Sequence, residues 1–101
     1  MEMETMAMTL IAHSGDARTL AFQALQAEKK HNFEEAVSLI GESKKASVLA
    51  HNAQTELLVA EANGEKLEIS VLLIHSQDHL MTSMLAQELI IEMIQMYKNQ
   101  K

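Results

Sequence analysis

The stretch LEISVLLIHSQDHLMTSMLAQELIIEMIQM, residues 67–96, decides how this chain is expected to fold. Its apolar side chains recur every three or four positions, which is the spacing of one face of an α-helix. The members of this stripe are Leu67, Val71, Ile74, Asp78, Met81, Leu85 and Leu89. The sequence therefore predicts a long helix with one buried face, in which Asp78 is the only charged residue.

Two breaks divide the rest of the chain into segments of similar length. At the first break, Lys29-Lys30-His31 places cations where a helix end favours them, and Asn32 and Glu35 have the spacing of a capping box. At the second break, Asn63-Gly64 supplies residues that tolerate a left-handed backbone just after a helix. We therefore predict an all-α, antiparallel three-helix bundle, with helices near residues 4–30, 33–62 and 66–98.

The start of the third segment also fits a β-strand. Leu67, Ile69, Val71 and Leu73 alternate with period two, and Asn-Gly is a common hairpin turn. However, no comparable alternating run precedes the Asn-Gly, and an isolated two-stranded ribbon is barely stable in water. Helix is the prediction, and a strand near residues 67–74 is the alternative.

Composition indicates one helical domain spanning residues 1–101. Of the 101 residues, 48% are hydrophobic, only 3% are aromatic and none is proline, which favours uninterrupted helices. The net charge of −6 disfavours nucleic-acid binding, because a basic surface is required for it. The absence of cysteine excludes disulfides and thiolate metal sites, and no apolar run is long enough for membrane insertion. We expect a cytoplasmic protein.

Three long helices form a slender bundle, and this chain is rich in apolar residues. Helices of about 30 residues would be about 45 Å long. The narrow core between three such helices cannot bury all of the apolar side chains, and exposed apolar surface usually marks an interaction site. The sequence therefore predicts self-association.

Asp78 lies in an apolar stripe, where a carboxylate is costly without a partner. A structural explanation is pairing with Lys or Arg of another helix, or an outward orientation. A functional explanation is a bound cation or a symmetry-related group at an oligomer axis. Three acids that meet at an axis repel each other, and a divalent cation between them would remove the repulsion.

His75 and His79 are expected at the edge of the buried face. Four interpretations of this pair are open. The two histidines are polar residues at a helix edge, a phosphate carrier, metal ligands or acid–base groups. A neutral imidazole has one nitrogen free to attack phosphorus while a hydrogen bond orients the other. The spacing also matches helical zinc pairs, but HSQDH is not HExxH, and a third ligand would have to be His13, His31 or His51.

The segment 75–81, His-Ser-Gln-Asp-His-Leu-Met, resembles the active-site motif HAQDHLM of the lactose/cellobiose-type enzyme IIA family. These proteins belong to the bacterial phosphoenolpyruvate-dependent sugar phosphotransferase system. Other segments also resemble the family: Ser14-Gly15 with Ala17-Arg18 (SGxAR), Asn32-Phe33 with Ala36 (the helix junction), and Ala50-His51 with Gln54-Thr55 (AHxxQT). The resemblance spans essentially the whole chain, and Ser76 replaces the usual Ala.

The resemblance implies a three-helix subunit that assembles into a nine-helix homotrimer. It places the phosphorylated histidine at His75 and the ligand of an axial metal at Asp78. Carboxylate oxygens suit Mg²⁺, with Ca²⁺ or Mn²⁺ as alternatives, at one divalent cation per trimer. We expect His75 to react through Nε2, with Gln77 and His79 donating hydrogen bonds or fixing its ring.

The expected function is that of a phosphocarrier. Phosphate would pass from the general histidine-containing phosphocarrier protein to His75 and then to a cysteine of the cognate enzyme IIB, during uptake of a disaccharide such as lactose, cellobiose or N,N'-diacetylchitobiose. Two alternatives remain. A metal-dependent helical hydrolase would require stoichiometric metal, and a purely structural helical oligomer would tolerate loss of His75.

Overall fold

The computed structural model describes residues 3–66 and 69–100. Over these residues the chain forms three α-helices, α1 (Met3–Lys29), α2 (Phe33–Ala62) and α3 (Val71–Asn99), and no strand. The predicted all-helical fold class is thus confirmed for the described chain. Residues 71–74 are helical, so the alternative strand does not form there, and Leu67 and Glu68 lie outside the described residues.

Two details of the predicted helix boundaries are wrong. α3 begins at Val71 rather than near residue 66, because Ser70 is its N-cap: the hydroxyl oxygen accepts a hydrogen bond from the Leu73 amide at 3.1 Å. Asn32 does occupy the N-cap of α2, but its side chain makes no capping hydrogen bond within the described chain. The capping box predicted for Asn32 and Glu35 is therefore not formed.

α1 and α2 both end in a residue with left-handed backbone. Gly64 has a φ of 89°, which confirms the interpretation of Asn63-Gly64 as a helix stop. His31 takes the same position after α1 with a φ of 64°. There the His31 amide donates to the Glu28 carbonyl at 3.0 Å and the Asn32 amide to the Ala27 carbonyl at 2.8 Å, the two bonds of a Schellman motif.

α1 is the central helix of the bundle. It packs along its length against both other helices, whereas α2 and α3 touch each other at few positions. One apolar cluster joins the start of α1, the end of α2 and the first half of α3: Met6, Leu10, Ala50, Ala53, Leu57 and Leu80. A second joins the opposite ends of α1 and α3, through Ala21, Ala24, Ile90 and Ile94. α1 and α3 are therefore parallel, and α2 is antiparallel to both.

A hydrogen-bond network fixes the register of the three helices. The side-chain amide of Gln87 on α3 donates to the hydroxyls of Ser43 and Ser47 on α2, each at 2.8 Å. Ser43, which is fully buried, donates in turn to the Ala17 carbonyl of α1 at 2.6 Å. Ala17, Ser43 and Gln87 consequently lie at one level along the bundle.

The α3 stripe that we expected to be buried is exposed in the single chain. Val71 is 85% exposed and Met81 is 71% exposed, and Ile74, Asp78, Leu85 and Leu89 are exposed as well. The face of α3 that packs inward consists of Ser76, Leu80, Ser83, Ile90 and Ile94. The periodicity is correct, but the stripe points away from α1. Self-association through this stripe stays a prediction.

None of the three helices carries a run both long and apolar enough to span a membrane, taking residues 3–66 and 69–100 together.

Candidate functional site

The HSQDH segment occupies the second and third turns of α3, and Ser76 is its inward-facing residue. The Ser76 side chain is fully buried, and its hydroxyl donates to the Leu73 carbonyl at 2.6 Å. Successive helical side chains point about 100° apart, so that the inward orientation of Ser76 turns its neighbours toward the surface. His75 is exposed, while Gln77 is half-buried.

The two motif histidines are in direct contact. The ring centroids of His75 and His79 lie 4.5 Å apart, and the ring planes meet at 86°, an edge-to-face arrangement. His79 is half-buried and so has less freedom to rotate than the exposed His75. The geometry gives the outer ring, that of His75, a support on its own helix.

Asp78 lies on the exposed apolar stripe, beside Ile74 and Met81. Its backbone carbonyl accepts a hydrogen bond from the Thr82 hydroxyl at 2.7 Å, while its carboxylate faces outward. Among the described residues no Lys or Arg pairs with this carboxylate, so pairing with another helix, one of the two structural explanations, is not found. The outward orientation is the structural explanation that fits the single chain.

One chain does not assemble a metal site by itself within the residues described. They contain no group of three His, Cys, Asp or Glu side chains placed to hold an ion. The zinc arrangement, in which His13, His31 or His51 joins His75 and His79, is therefore not formed. His31 lies at the opposite end of the bundle, where its ring contacts Phe33 edge-on at 5.6 Å. A cation at Asp78 would need carboxylates from other copies of the chain.

A cleft beside the motif is lined by a lysine, Lys66, that belongs to none of the sequence motifs. It has a volume of about 520 Å³ and is lined by Met3, Glu4, Ala7, Lys66, Ser70, Leu72 and Leu73. Leu72 precedes His75 by one helical turn, so the cleft adjoins the motif. Lys66 was overlooked because it lies outside every motif, in the segment between α2 and α3.

The end of the bundle that carries His75 is acidic. It comprises residues 3–16, 49–66 and 69–86, in which Lys66 is the only Lys or Arg. The acids there are Glu4, Asp16, Glu56, Glu61, Glu65 and Asp78. The opposite end holds most of the lysines of the chain. This asymmetry would attract a partner with a basic docking surface to the His75 end.

Comparison with known proteins finds the lactose/cellobiose IIA resemblance over almost the entire chain. The family described as "PTS system, Lactose/Cellobiose specific IIA subunit" matches residues 5–98. Among curated proteins, the N,N'-diacetylchitobiose-specific EIIA component of Escherichia coli K12 is 44% identical over 100 residues, covering 99% of this chain and 86% of that protein.

Two solved structures extend the likeness to the fold. The cellobiose-specific enzyme IIA of Bacillus anthracis superimposes with a TM-score of 0.93 at 46% identity, covering 98% of this chain and 92% of that one. The IIA(Chitobiose) protein, solved in complex with HPr from the N,N'-diacetylchitobiose branch of the Escherichia coli phosphotransferase system, gives 0.82 at 41% identity, covering 98% and 96%. Both are bacterial IIA proteins, so sequence and fold agree.

Proposed function

Because this chain belongs to the lactose/cellobiose-specific IIA family of the phosphotransferase system, we propose that it is a phosphohistidine carrier in disaccharide uptake. A ring nitrogen of His75, Nε2, attacks the phosphorus of a phosphohistidine on the donor protein. The new N–P bond forms as the donor's N–P bond breaks. A cysteine sulfur of enzyme IIB then attacks the same phosphorus, and the bond to His75 breaks.

The observation that carries this proposal is the position of His75 on α3. It is the first histidine of the motif, it is exposed, and the buried Ser76 beside it fixes its turn of helix. Transfer between two proteins requires a nucleophile that both can reach, together with donors for the moving phosphoryl charge. Gln77 and His79 supply donor groups within about one turn.

The partners are proposed from the relatives. A IIA protein similar to this chain was solved with HPr, so we propose an HPr-type phosphocarrier as the donor. The acidic His75 end and the exposed Met81, an adaptable apolar side chain, suit a transient docking surface. Relatives named for N,N'-diacetylchitobiose and cellobiose support a disaccharide as the sugar, which a cytoplasmic carrier of this kind would never touch.

The proposed assembly is a homotrimer in which three α3 stripes face one axis. The exposure of the stripe in the single chain supports this assembly, because a large exposed apolar surface usually marks a protein–protein interface. Asp78 would place three carboxylates at the axis, a donor set that fits Mg²⁺, or Ca²⁺ or Mn²⁺. When bound, the cation would neutralise these carboxylates, and it takes no part in the transfer at His75.

Phosphorylation of the full chain tests the function. Incubation with labelled phosphoenolpyruvate, enzyme I and HPr should give one acid-labile, alkali-stable adduct. His75→Gln should abolish that adduct, whereas His51→Gln, which changes an exposed histidine on α2, should leave it intact. Label that persists in His75→Gln would refute the assignment. A structural oligomer would take up no label at all, and a hydrolase would lose its activity on chelation.

A further inference from the structure

A buried carboxylate stands without a partner at the end of the bundle opposite His75. Glu28, in the last turn of α1, is 2% exposed, and both of its carboxylate oxygens lack a hydrogen-bond partner among the described residues. Removing a carboxylate from water without compensation is costly. The C-terminal end of a helix adds an unfavourable interaction with the helix dipole. Glu28 therefore requires a neutralising group.

Glu28 lines a cavity of about 160 Å³ between α1, the start of α2 and the end of α3. Most of its wall is apolar: Ala36, Val37, Ile40, Ile91 and Ile94. The polar remainder consists of Lys44, Gln95 and Lys98. Two lysines are thus the candidate counter-charges, one on each helix that faces α1.

The register of the bundle distinguishes the two lysines. Ala17 of α1 and Gln87 of α3 lie at one level, and the two helices are parallel. Glu28 follows Ala17 by eleven residues, and Lys98 follows Gln87 by eleven residues. Glu28 and Lys98 therefore lie at one level as well. Lys44 is next to Ser43 and stays near the level of Ala17. Because α2 runs antiparallel to α1, the Lys44 backbone is about twelve residues, or roughly 18 Å at 1.5 Å per residue, from that of Glu28 along the bundle axis, too far for an ion pair.

We propose that Lys98 closes over this cavity and forms an ion pair with Glu28, strapping the last turn of α3 to the last turn of α1. In the structure Lys98 lines the cavity and is exposed, and the Glu28 carboxylate has no hydrogen-bond partner among the described residues, so the ion pair requires the Lys98 side chain to turn inward. Because Lys98 belongs to the same chain, its ammonium group has a high effective concentration near the Glu28 carboxylate, and it competes there with free cations from solution. The strap lies far from His75 and is independent of phosphoryl transfer.

A double-mutant cycle on the full chain tests the strap. Glu28→Gln, Lys98→Met and the double variant are unfolded in urea at one fixed protomer concentration, because association shifts apparent stability. We expect a coupling of roughly tenfold in the unfolding equilibrium constant, about 1.4 kcal/mol. The matched cycle pairs Glu28→Gln with Lys44→Met, which lines the same cavity, and should show less than twofold coupling. Equal coupling in the two cycles, or none with Lys98, would overturn the proposal.

Amide hydrogen exchange supplies a second measurement that does not depend on global unfolding. Loss of the strap should speed exchange at the end of α3, at the amides of Met96 and Tyr97, by about the same factor in Glu28→Gln and in Lys98→Met. Lys44→Met should leave these amides unchanged. Unaltered exchange in both strap variants would also refute the ion pair. Phosphorylation of His75 should be normal in all of them, which separates this test from that of the proposed function.

Discussion

The ring of His75 rests edge-on against the ring of His79, with centroids 4.5 Å apart and planes at 86°. The two residues are one helical turn apart, so the contact is built into α3 and exists before any partner binds. The half-buried ring restrains the exposed one. A nucleophile restrained in this way loses less rotational freedom when it reacts.

The contact predicts different effects for two substitutions of His79. An aromatic pair contributes about 0.5–1.5 kcal/mol, so His79→Ala should slow phosphorylation of His75 roughly two- to tenfold without abolishing it. His79→Phe keeps an aromatic ring at this position, although a larger one without nitrogens, and it should slow transfer less. Single-turnover rates from phosphorylated HPr check both variants. An unchanged rate in His79→Ala would reduce His79 to a packing residue.

Asp78 is predicted to determine metal content and assembly. Asp78→Leu should remove the cation and leave the trimer intact or firmer, because an apolar residue needs no counter-charge. Asp78→Lys should weaken the trimer, since three cations would crowd one axis. Sedimentation equilibrium with metal analysis measures both effects. Asp16→Lys makes the same charge change on α1 and serves as the control. A monomeric or dimeric wild type at micromolar concentration would contradict the assembly.

The hydrogen bonds of Gln87 are predicted to stabilise the bundle. Gln87→Met keeps the side-chain volume but removes both bonds to Ser43 and Ser47, and it should lower the free energy of unfolding by about 1–2 kcal/mol. Gln26→Met changes an exposed glutamine on α1 and should have little effect. Urea unfolding at equal protomer concentration measures the difference. Equal midpoints for the two variants would show that the network contributes no net stability.

His31 is predicted to be a site of stored strain. A left-handed backbone costs a residue with a Cβ about 1 kcal/mol or more, and His31 has a φ of 64°. His31→Gly and His31→Ala both lose the ring contact with Phe33, but only glycine relieves the backbone penalty. The glycine variant should therefore have the higher free energy of unfolding of the two, by about 0.5–1 kcal/mol. Urea unfolding of both variants at equal protomer concentration measures the difference, and an alanine variant as stable as the glycine variant would contradict stored strain at His31.

Periodicity and helix stops were sufficient to predict three helices, but they did not determine the inner face of α3. Ser76 lies outside the apolar stripe, yet it is buried with its hydroxyl bonded to the carbonyl of Leu73. Such small side chains allow helices to approach closely, which a hydrophobicity pattern does not register. An apolar stripe that serves association and one that serves the core have the same period, so composition alone could not separate them.

The residues of the candidate site were taken from the family motif and from the periodicity of α3. The resemblance points to His75, and Asp78 stands out as an acid in an apolar stripe; the roles of both stay predictions. The ring contact with His79 follows from their spacing once the helix is known. Lys66 and Glu28 were missed because one lies in the connection between α2 and α3, and the other is an ordinary residue type at a helix end, whose burial depends on tertiary packing.

The central position of α1 restricts how this protein can diverge. Ala21 and Ala24 are completely buried, on the helix that packs against both others. A larger side chain at either position would press on a tightly packed interior, and overpacking of that kind typically costs about 1–3 kcal/mol. The outer face of α2, which carries neither His75 nor the stripe proposed for the trimer axis, has no such restriction. Natural selection could therefore remodel that face for a new partner while the sequence of α1 drifts slowly.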